Sequence, residues 1–228
     1  ICTKLKNFSL KKGQSKNSIE NNVNRSIFES LKNLNTNILD TYLVHDPNLL
    51  FKSKIVYNQL IKFLNCGIIK NIGASIYTPQ EYYRLKKFKK ISCVQIPFNI
   101  LDYRWVSILS RKQNKIKIFV RSIFLRGNVK KNNIEFPILK KKYNFLIDNL
   151  KKINKEFGKR DLLELSLSYV KAFKGISYYV FGVQQKSDFL GILKYIKTNS
   201  LKKSETKKVI LTVKKYFDSK NADLRSWN

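Results

Sequence analysis

Short runs rich in β-branched residues alternate with stretches whose apolar positions recur every three or four residues, and the alternation holds along most of the chain. Ile1-Cys2-Thr3-Lys4-Leu5 reads as a strand fragment, followed by a polar loop through Asn17. Ser18 is placed to cap a helix whose Val23, Ile27, Leu31 and Leu34 keep helical spacing. The apolar run Leu39 to His45 predicts a buried strand that stops at the turn Asp46-Pro47. A helix from about Lys54 to Leu64 follows, with Gly67 where a left-handed cap residue is expected, and then a strand from Lys70 to Ser75. Thr78-Pro79-Gln80-Glu81 combines a capping hydroxyl, a proline at the first helical position and a carboxylate three residues after the cap, which predicts a helix to about Phe88.

The second half repeats the pattern. Cys93 to Ile96 and Ile116 to Arg121 are predicted strands, separated by a helical stretch near Val106 to Lys112. After the loop around Gly127, a helix spans about Lys140 to Phe157 and ends at Gly158, and Asp161-Leu162-Leu163-Glu164 caps another that runs to about Phe173. A strand from Ser177 to Val183, helices from Ser187 to Ile196 and Glu205 to Phe217, and an irregular tail Asp223 to Asn228 complete the order.

Six strand-helix units in succession predict a parallel α/β fold, and the absence of a Gly-, Pro- or Ser-rich break predicts a single domain over residues 1–228. No G-x-G-x-x-G follows the first strand and no Walker sequence occurs, so a (β/α)8 TIM barrel fits better than a doubly wound sheet. At roughly 30 residues per unit, about six of the eight units of such a barrel are expected here and the first two are missing.

Charge changes this picture little. The net charge of +31 suggests a nucleic-acid or anionic-surface binder, but 38 lysines stand against 8 arginines, and bidentate recognition of phosphates and bases favours arginine. Abundant Lys, Asn and Ile together point to AT-rich codons. The lysines are spread along the chain, with short runs such as Lys86-Lys87 and Lys140-Lys141-Lys142 on predicted solvated faces. Salt-sensitive adsorption is expected of so basic a surface, and specific nucleic-acid recognition is not. Cys2, Cys66 and Cys93 are far apart and form no C-x-x-C, and with one histidine no metal site is expected. No apolar run reaches membrane-spanning length and no apolar leader opens the chain, so a soluble cytoplasmic protein is expected. Methionine is absent even from position 1, so the sequence is not expected to begin at an initiator residue.

Candidate chemistry centres on His45, the single histidine, at a predicted strand end, where barrel enzymes keep their reacting groups. A lone histidine taken by itself is more often structural. Its neighbours change that reading.

Ser30-Leu31-Lys32-Asn33-Leu34-Asn35-Thr36, continued by Leu39-Asp40-Thr41-Tyr42-Leu43-Val44-His45, is similar to the SLxxLxTxxxDxYLxH stretch of the aldo-keto reductases. Ile72-Gly73-Ala74-Ser75 resembles that family's IGVSN segment, Val94-Gln95 its VNQ or VQ element, and Arg121-Ser122-Ile123-Phe124-Leu125-Arg126-Gly127 the RSxFLxG variant of many bacterial members. Leu224-Arg225-Ser226-Trp227-Asn228 resembles its closing WN. Each element alone is weak; their order along the chain makes the resemblance specific.

The resemblance implies a barrel that reduces an aldehyde, ketone or sugar carbonyl with NADPH, NADH being the alternative cofactor. In the family a tyrosine protonates the carbonyl oxygen, helped by Asp, Lys and His. Lys4 and His45 match the lysine and the histidine, the first as a buried ammonium that lowers the phenol's pKa and the second as a hydrogen-bond partner of the carbonyl oxygen. The tyrosine and aspartate belong to the two missing units, so the chain alone is expected to be inactive. Tyr42, Tyr77 and Tyr103 match neither and are expected to pack or line a rim.

The resemblance further implies that Ser75 and Gln95 hold the nicotinamide carboxamide, although Ile76 replaces a usual asparagine. Arg121 would stack on the nicotinamide, while Ser122, Phe124, Leu125 and Gly127 would wrap the pyrophosphate. Gly182, Gln184 and Lys186 fall in the region of the 2'-phosphate, where Asp188 stands near a usual arginine. Two other readings remain open: a non-catalytic or decayed relative, and a basic protein that adsorbs nucleic acid.

Overall fold

Period-two and period-3.6 patterns become strands and helices much as they alternate in the sequence. The computed structural model describes residues 1–111, 115–127, 129–130, 133–134 and 144–222. They group into two compact units, Ile1–Ile96 with Asn114–Ile118, and Pro97–Gln113 with Phe119–Asn228.

In the first unit β1 (Cys2–Leu5), β2 (Thr41–Val44), β3 (Ile72–Ser75) and β4 (Ile91–Pro97) pair in chain order, each pair parallel, and β5 (Lys117–Arg121) is the next strand in the order. Between them lie α1 (Lys16–Asn33), α2 (Asn48–Lys52), α3 (Lys54–Asn65) and α4 (Pro79–Leu85). Every residue of β2 and β3 is buried, as expected of parallel strands covered on both faces. Ile19, Val23 and Ile27 of α1 and Val56, Leu60 and Phe63 of α3 supply the cover on one face.

Most starts and stops match their signals. Thr78 and Glu81 form the reciprocal capping box at α4, and Gly67 follows α3 with a φ of 75°. The first cap differs: α1 starts at Lys16 with Ser15 as its cap, whose Oγ accepts from Ser18 N at 3.2 Å. The Ser18 hydroxyl is instead taken by Gln14 Nε2 at 3.0 Å. Tyr42 is fully buried and its hydroxyl lies 2.9 Å from Ser26 Oγ, a packing role.

The second unit contains the rest of β5, α5 (Val106–Leu109), the hairpin β6 (Val129–Lys130) and β7 (Asn133–Ile134), then α6 (Asn144–Glu156), α7 (Leu162–Lys171), β8 (Tyr178–Tyr179), α8 (Lys186–Ile196) and α9 (Lys203–Tyr216). β8 pairs in parallel with β5 through Phe119 with Tyr178 and Val120 with Tyr179. The predicted strand Ser177 to Val183 is thus cut to two residues. Val180 N still donates to Val120 O at 2.8 Å, but beyond it the apolar residues line a loop, and Phe181 stacks on Phe124 at 5.6 Å.

Phe98, Tyr169 and Phe173 form an aromatic cluster, with centroid distances of 5.0–5.8 Å, at the heart of this unit. Asp161 caps α7 by accepting from Glu164 N at 3.0 Å. No residue of α8 is buried, and Phe189, Leu190, Leu193 and Ile196 expose apolar side chains. The lysine run 140–142 and the tail 224–228 lie outside the described residues.

Candidate active site

The strand register decides which side chains share a face. Lys4 pairs with Leu43, Leu43 with Gly73 and Gly73 with Cys93; one period further along, Ser75 pairs with Gln95. Neighbours paired in parallel strands point to the same side, so Lys4, Ser75 and Gln95 share one face. His45, two residues beyond Leu43, falls in the same period just past the end of β2. Gly73 keeps that face open. A β-carbon there would meet Cys93 O and Cys93 Sγ at 2.4 Å and Leu43 Cδ2 at 2.7 Å.

Two polar atoms on this face are orphaned. Ser75 Oγ and Gln95 Oε1 are buried and have no hydrogen-bond partner among the described residues. An unpaired buried acceptor or hydroxyl costs about 1–3 kcal/mol, a cost a bound ligand removes. A primary carboxamide, with a donor and an acceptor on one carbon, fits that pair, so the residues present suit a nicotinamide.

Other expectations change here. Lys4 is exposed, not a buried ammonium, because β1 is the edge strand of the described sheet. His45 is exposed as well, whereas Ile76, in place of the usual asparagine, is fully buried and its N donates to Gln95 O at 2.9 Å. Cys93 also faces this side, but burial pushes its thiol up to about 12, which keeps it protonated at neutral pH. No strand tyrosine of the first unit shares the face: the next residue along from Thr41, Tyr42, points to the helix side.

The second unit holds a cavity of about 500 Å³ walled by the loop after β5, the loop after β8 and one side of α8. Ser122, Phe124, Gly127, Gly182 and Gln184 line it; Arg121, Leu125 and Lys186 do not. Leu125 is fully buried in the core, Lys186 is exposed, and Arg121 sends Nη1 to Ser122 Oγ at 3.4 Å. The β5 loop is strained: Ser122 and Leu125 take φ values of 60° and 52°, and Gly127 takes 89°. Left-handed non-glycine residues cost about 1 kcal/mol each and gather where function fixes the backbone.

Sequence reasoning named Asp188 but missed the rest of the helical wall. Asp188, Gly191, Ile192 and Tyr195 line the cavity at intervals of three and four, one stripe of α8, and Leu163 of α7 joins them. The stripe was present in the sequence, hidden by the more apolar Phe189, Leu190 and Leu193, which face solvent. Burial, together with a hydrogen bond to the Asp161 carboxylate, pushes the Tyr195 phenol up to about 12. Among the described residues, no group of His, Cys, Asp and Glu could hold a metal ion, and no helix is long and apolar enough to cross a membrane.

A sequence model described as Aldo/keto reductase family matches residues 1–210. The chain belongs to this family. No curated protein matches it. Among solved structures it is similar to the aldo-keto reductase AKR11C1 of Bacillus halodurans in its apo form, at 20% identity and a TM-score of 0.68, covering 96% of this chain and 71% of that one. The glycerol dehydrogenase AKR11B4 of Gluconobacter oxydans is similar at 16% identity and a TM-score of 0.67, covering 86% and 65%. The thermostable aldo-keto reductase Tm1743 in complex with the inhibitor epalrestat gives 18% and 0.63, covering 85% and 66%. The fold is therefore that of an aldo-keto reductase, with six parallel strands of a TIM barrel and helices between them. The family comprises oxidoreductases that act on carbonyl compounds. In this member of the family, His45, Ser75 and Gln95, and the loops after β5 and β8, each lie at or just beyond the C-terminal end of a strand, where barrel enzymes place their chemistry.

Proposed function

We propose that this protein takes part in NAD(P)H-dependent reduction of an aldehyde, ketone or sugar carbonyl. The observation that carries the reading is the orphaned pair Ser75 Oγ and Gln95 Oε1 on the face that also bears His45 and Lys4. When bound, the dihydronicotinamide supplies the hydride that the carbonyl carbon accepts. Ser75 and Gln95 hold its carboxamide and fix which face of the ring is presented. His45 donates a hydrogen bond to the substrate oxygen, orienting it and favouring the charge that grows there. Lys4 adds positive charge on the same face. The proton that completes the alcohol comes from a donor other than these side chains, the role that a tyrosine has in the family. Taken by itself, the cavity of the second unit, walled by Ser122, Phe124, Gly127, Gly182 and Gln184, is read as a site for nucleotide phosphates.

A second reading is a relative that binds the dinucleotide without turnover; the exposure of Lys4 and the replacement of asparagine by Ile76 favour it. Both are tested on the protein expressed from its own gene. Binding of NADPH and NADH is followed by nicotinamide fluorescence, and consumption of the reduced cofactor is followed with a panel of aldehydes, ketones and sugars. Carbonyl-dependent consumption supports the first reading. Binding without consumption on every carbonyl leaves the second, and absence of binding overturns both.

A further inference from the structure

The connection from α4 to β4 is five residues long, and four of them are lysines: Lys86-Lys87-Phe88-Lys89-Lys90. Its course is fixed from within. Phe88 N donates to Leu85 O at 2.9 Å and Ile91 N to Phe88 O at 3.0 Å, which turns the chain back into the sheet. The Phe88 ring packs 5.0 Å from that of Tyr57 and 6.3 Å from that of Phe51, and Lys90 N donates to the Tyr57 hydroxyl at 3.0 Å. This aromatic anchor leaves the four lysines outside, and all four are exposed.

Strand direction gathers more charge at the same place. β3, β4 and β5 start at one end of the sheet, and exposed lysines stand at each start: Lys70 before β3, the turn before β4, and Lys115 and Lys117 at β5. At about 4.8 Å between neighbouring strands, these starts span about 10 Å of one surface of the first unit. Acids do not offset them. Residues 47–101 hold nine cations and one carboxylate, Glu81, whose Oε2 accepts from Tyr77 N at 2.7 Å and Thr78 N at 3.0 Å in the α4 cap. Glu29, in α1, and Asp40, before β2, stand towards β1, and Asp40 is already held by the Ile1 amino group at 2.8 Å and by Lys70 at 2.9 Å. The four lysines of the turn, Lys115 and Lys117 make no ion pair among the described residues. A drift in codon usage acts on the whole chain alike and does not account for this: residues 144–222 carry seven carboxylates against the one in 47–101.

Such a surface fits a polyanion, and its composition narrows the choice. Lysine is a compact, hydrated point charge, suited to phosphate oxygens and not to the bidentate reading of base edges. The exposed large apolar side chains of this unit, Ile1, Phe28, Leu34, Ile38 and Tyr83, lie neither in the turn nor at the starts of β3 to β5. The surface therefore lacks the apolar centre of a protein interface and an apolar side chain to enter a bilayer. A nucleic-acid duplex, with one charge per about 1.7 Å of axis, presents several phosphates across it.

We propose that this end of the first unit, centred on the turn from Lys86 to Lys90, docks the phosphate backbone of nucleic acid without regard to base sequence. The surface lies at the opposite end of the strands from His45, Ser75 and Gln95, so docking leaves that face open.

The test is fluorescence anisotropy of labelled DNA duplexes of about 20 base pairs, titrated with the full chain over a series of salt concentrations. The wild type is expected to bind at physiological salt with a Kd of about 10⁻⁶–10⁻⁴ M, alike for unrelated sequences. Lys86→Gln, Lys87→Gln, Lys89→Gln and Lys90→Gln together should weaken binding about tenfold or more and lower the slope of log K against log salt by about three to four. Lys115→Gln with Lys117→Gln, outside the turn, should lower that slope by about two. A control set of four exposed lysines from the second unit, Lys152→Gln, Lys155→Gln, Lys203→Gln and Lys207→Gln, removes the same net charge and should change affinity by less than about threefold. Thermal unfolding is recorded for every variant. Equal weakening by the turn and control sets means diffuse adsorption and overturns the proposal, as does absence of duplex binding by the folded wild type. Discrimination of more than about tenfold between unrelated duplexes overturns the sequence-blind docking. Phosphatidylserine–phosphatidylcholine vesicles are titrated in parallel: turn-dependent binding to them without binding of duplex assigns the surface to a membrane and overturns nucleic acid as the partner.

Discussion

The two units encode their candidate sites differently. In the first, the candidate residues are single side chains at the ends of buried or nearly buried strands: His45 after β2, Ser75 on β3 and Gln95 on β4. In the second, the cavity is walled by loops and one helix rather than by strand ends, with a two-residue strand, a loop holding two left-handed non-glycine residues, and a helix with no buried residue. Orienting a reacting carbonyl requires particular atoms at fixed points, which close-packed strands provide. Cradling phosphates and a ribose asks mainly for amide groups and curvature, which many sequences provide.

The largest effect expected of this contrast is on turnover. Replacing His45→Ala should lower carbonyl-dependent cofactor consumption by about 100- to 1,000-fold, the usual cost of one transition-state hydrogen-bond donor. Dinucleotide affinity should stay within about twofold. A fall in affinity with turnover per bound cofactor preserved would break the division between the two units.

Next comes packing. Both units hold a glycine whose place a β-carbon cannot take: at Gly73 it would meet Cys93 and Leu43, and at Gly175 it would come within 2.6 Å of Arg111 O and 2.7 Å of Leu109 O. Gly73 lies in the middle of the sheet between two paired strands, whereas Gly175 lies in the turn before β8. Urea unfolding should find Gly73→Ala costing about 3 kcal/mol and Gly175→Ala about 1–2, the difference measuring how far a turn outside the sheet can shift away from the backbone it meets. Equal costs would mean that the second unit is as tightly held at its turns as the first is in its sheet.

A third substitution should act in the opposite direction. Ser122 stands at a φ of 60°, so Ser122→Gly is expected to raise stability by up to about 1 kcal/mol, less what the freer unfolded chain takes back. The loop that lines the cavity would lose its fixed course, and nucleotide affinity should fall a few-fold. Urea unfolding and nucleotide titration on the same variant check both signs. A gain in stability with affinity unchanged would show that the strain serves no binding purpose.

What was legible in the sequence follows the same division. The β2 strand, the Thr78 box and the Asp161 cap have short-range signals, and the structure keeps them. Motif resemblance picked out Ser75 and Gln95, and register puts them side by side with atoms unsatisfied. The strand Ser177 to Val183 was overread because Val180, Phe181 and Val183 are apolar for the sake of a cavity and its rim rather than a ladder. The α8 stripe was overlooked for the converse reason: a helix that shows its most apolar side to solvent sends a misleading pattern. Lys4 was expected to be buried because the resemblance describes a complete barrel wall, and the burial of one side chain depends on strands that pattern alone does not place.

The smallest predicted effect concerns how α8 is held without a buried face. Polar links attach its C-terminal end to α7 and the residues before it: Arg160 Nη2 donates to Lys194 O at 3.1 Å, the Tyr195 hydroxyl donates to Asp161, and Thr198 Oγ1 donates to Glu164 Oε1 at 2.8 Å. Burial tends to raise the pKa of Glu164, but hydrogen bonds from the Arg160 amide and guanidinium and from Thr198 outweigh it, so the folded value lies below the ordinary 4.5. A depressed folded pKa contributes stability that is fully present above the unfolded value and is lost as pH falls through the folded one. Acidification below about 4.5 should therefore loosen α8 while the apolar strands of the first unit hold. Hydrogen exchange read by peptide should show protection of residues 186–196 falling first, and Glu164→Gln should produce part of that loss already at neutral pH, about 1 kcal/mol or less for a pair this near solvent. If the strands of the first unit opened first instead, the wall that carries Asp188 would be held by more than these polar links.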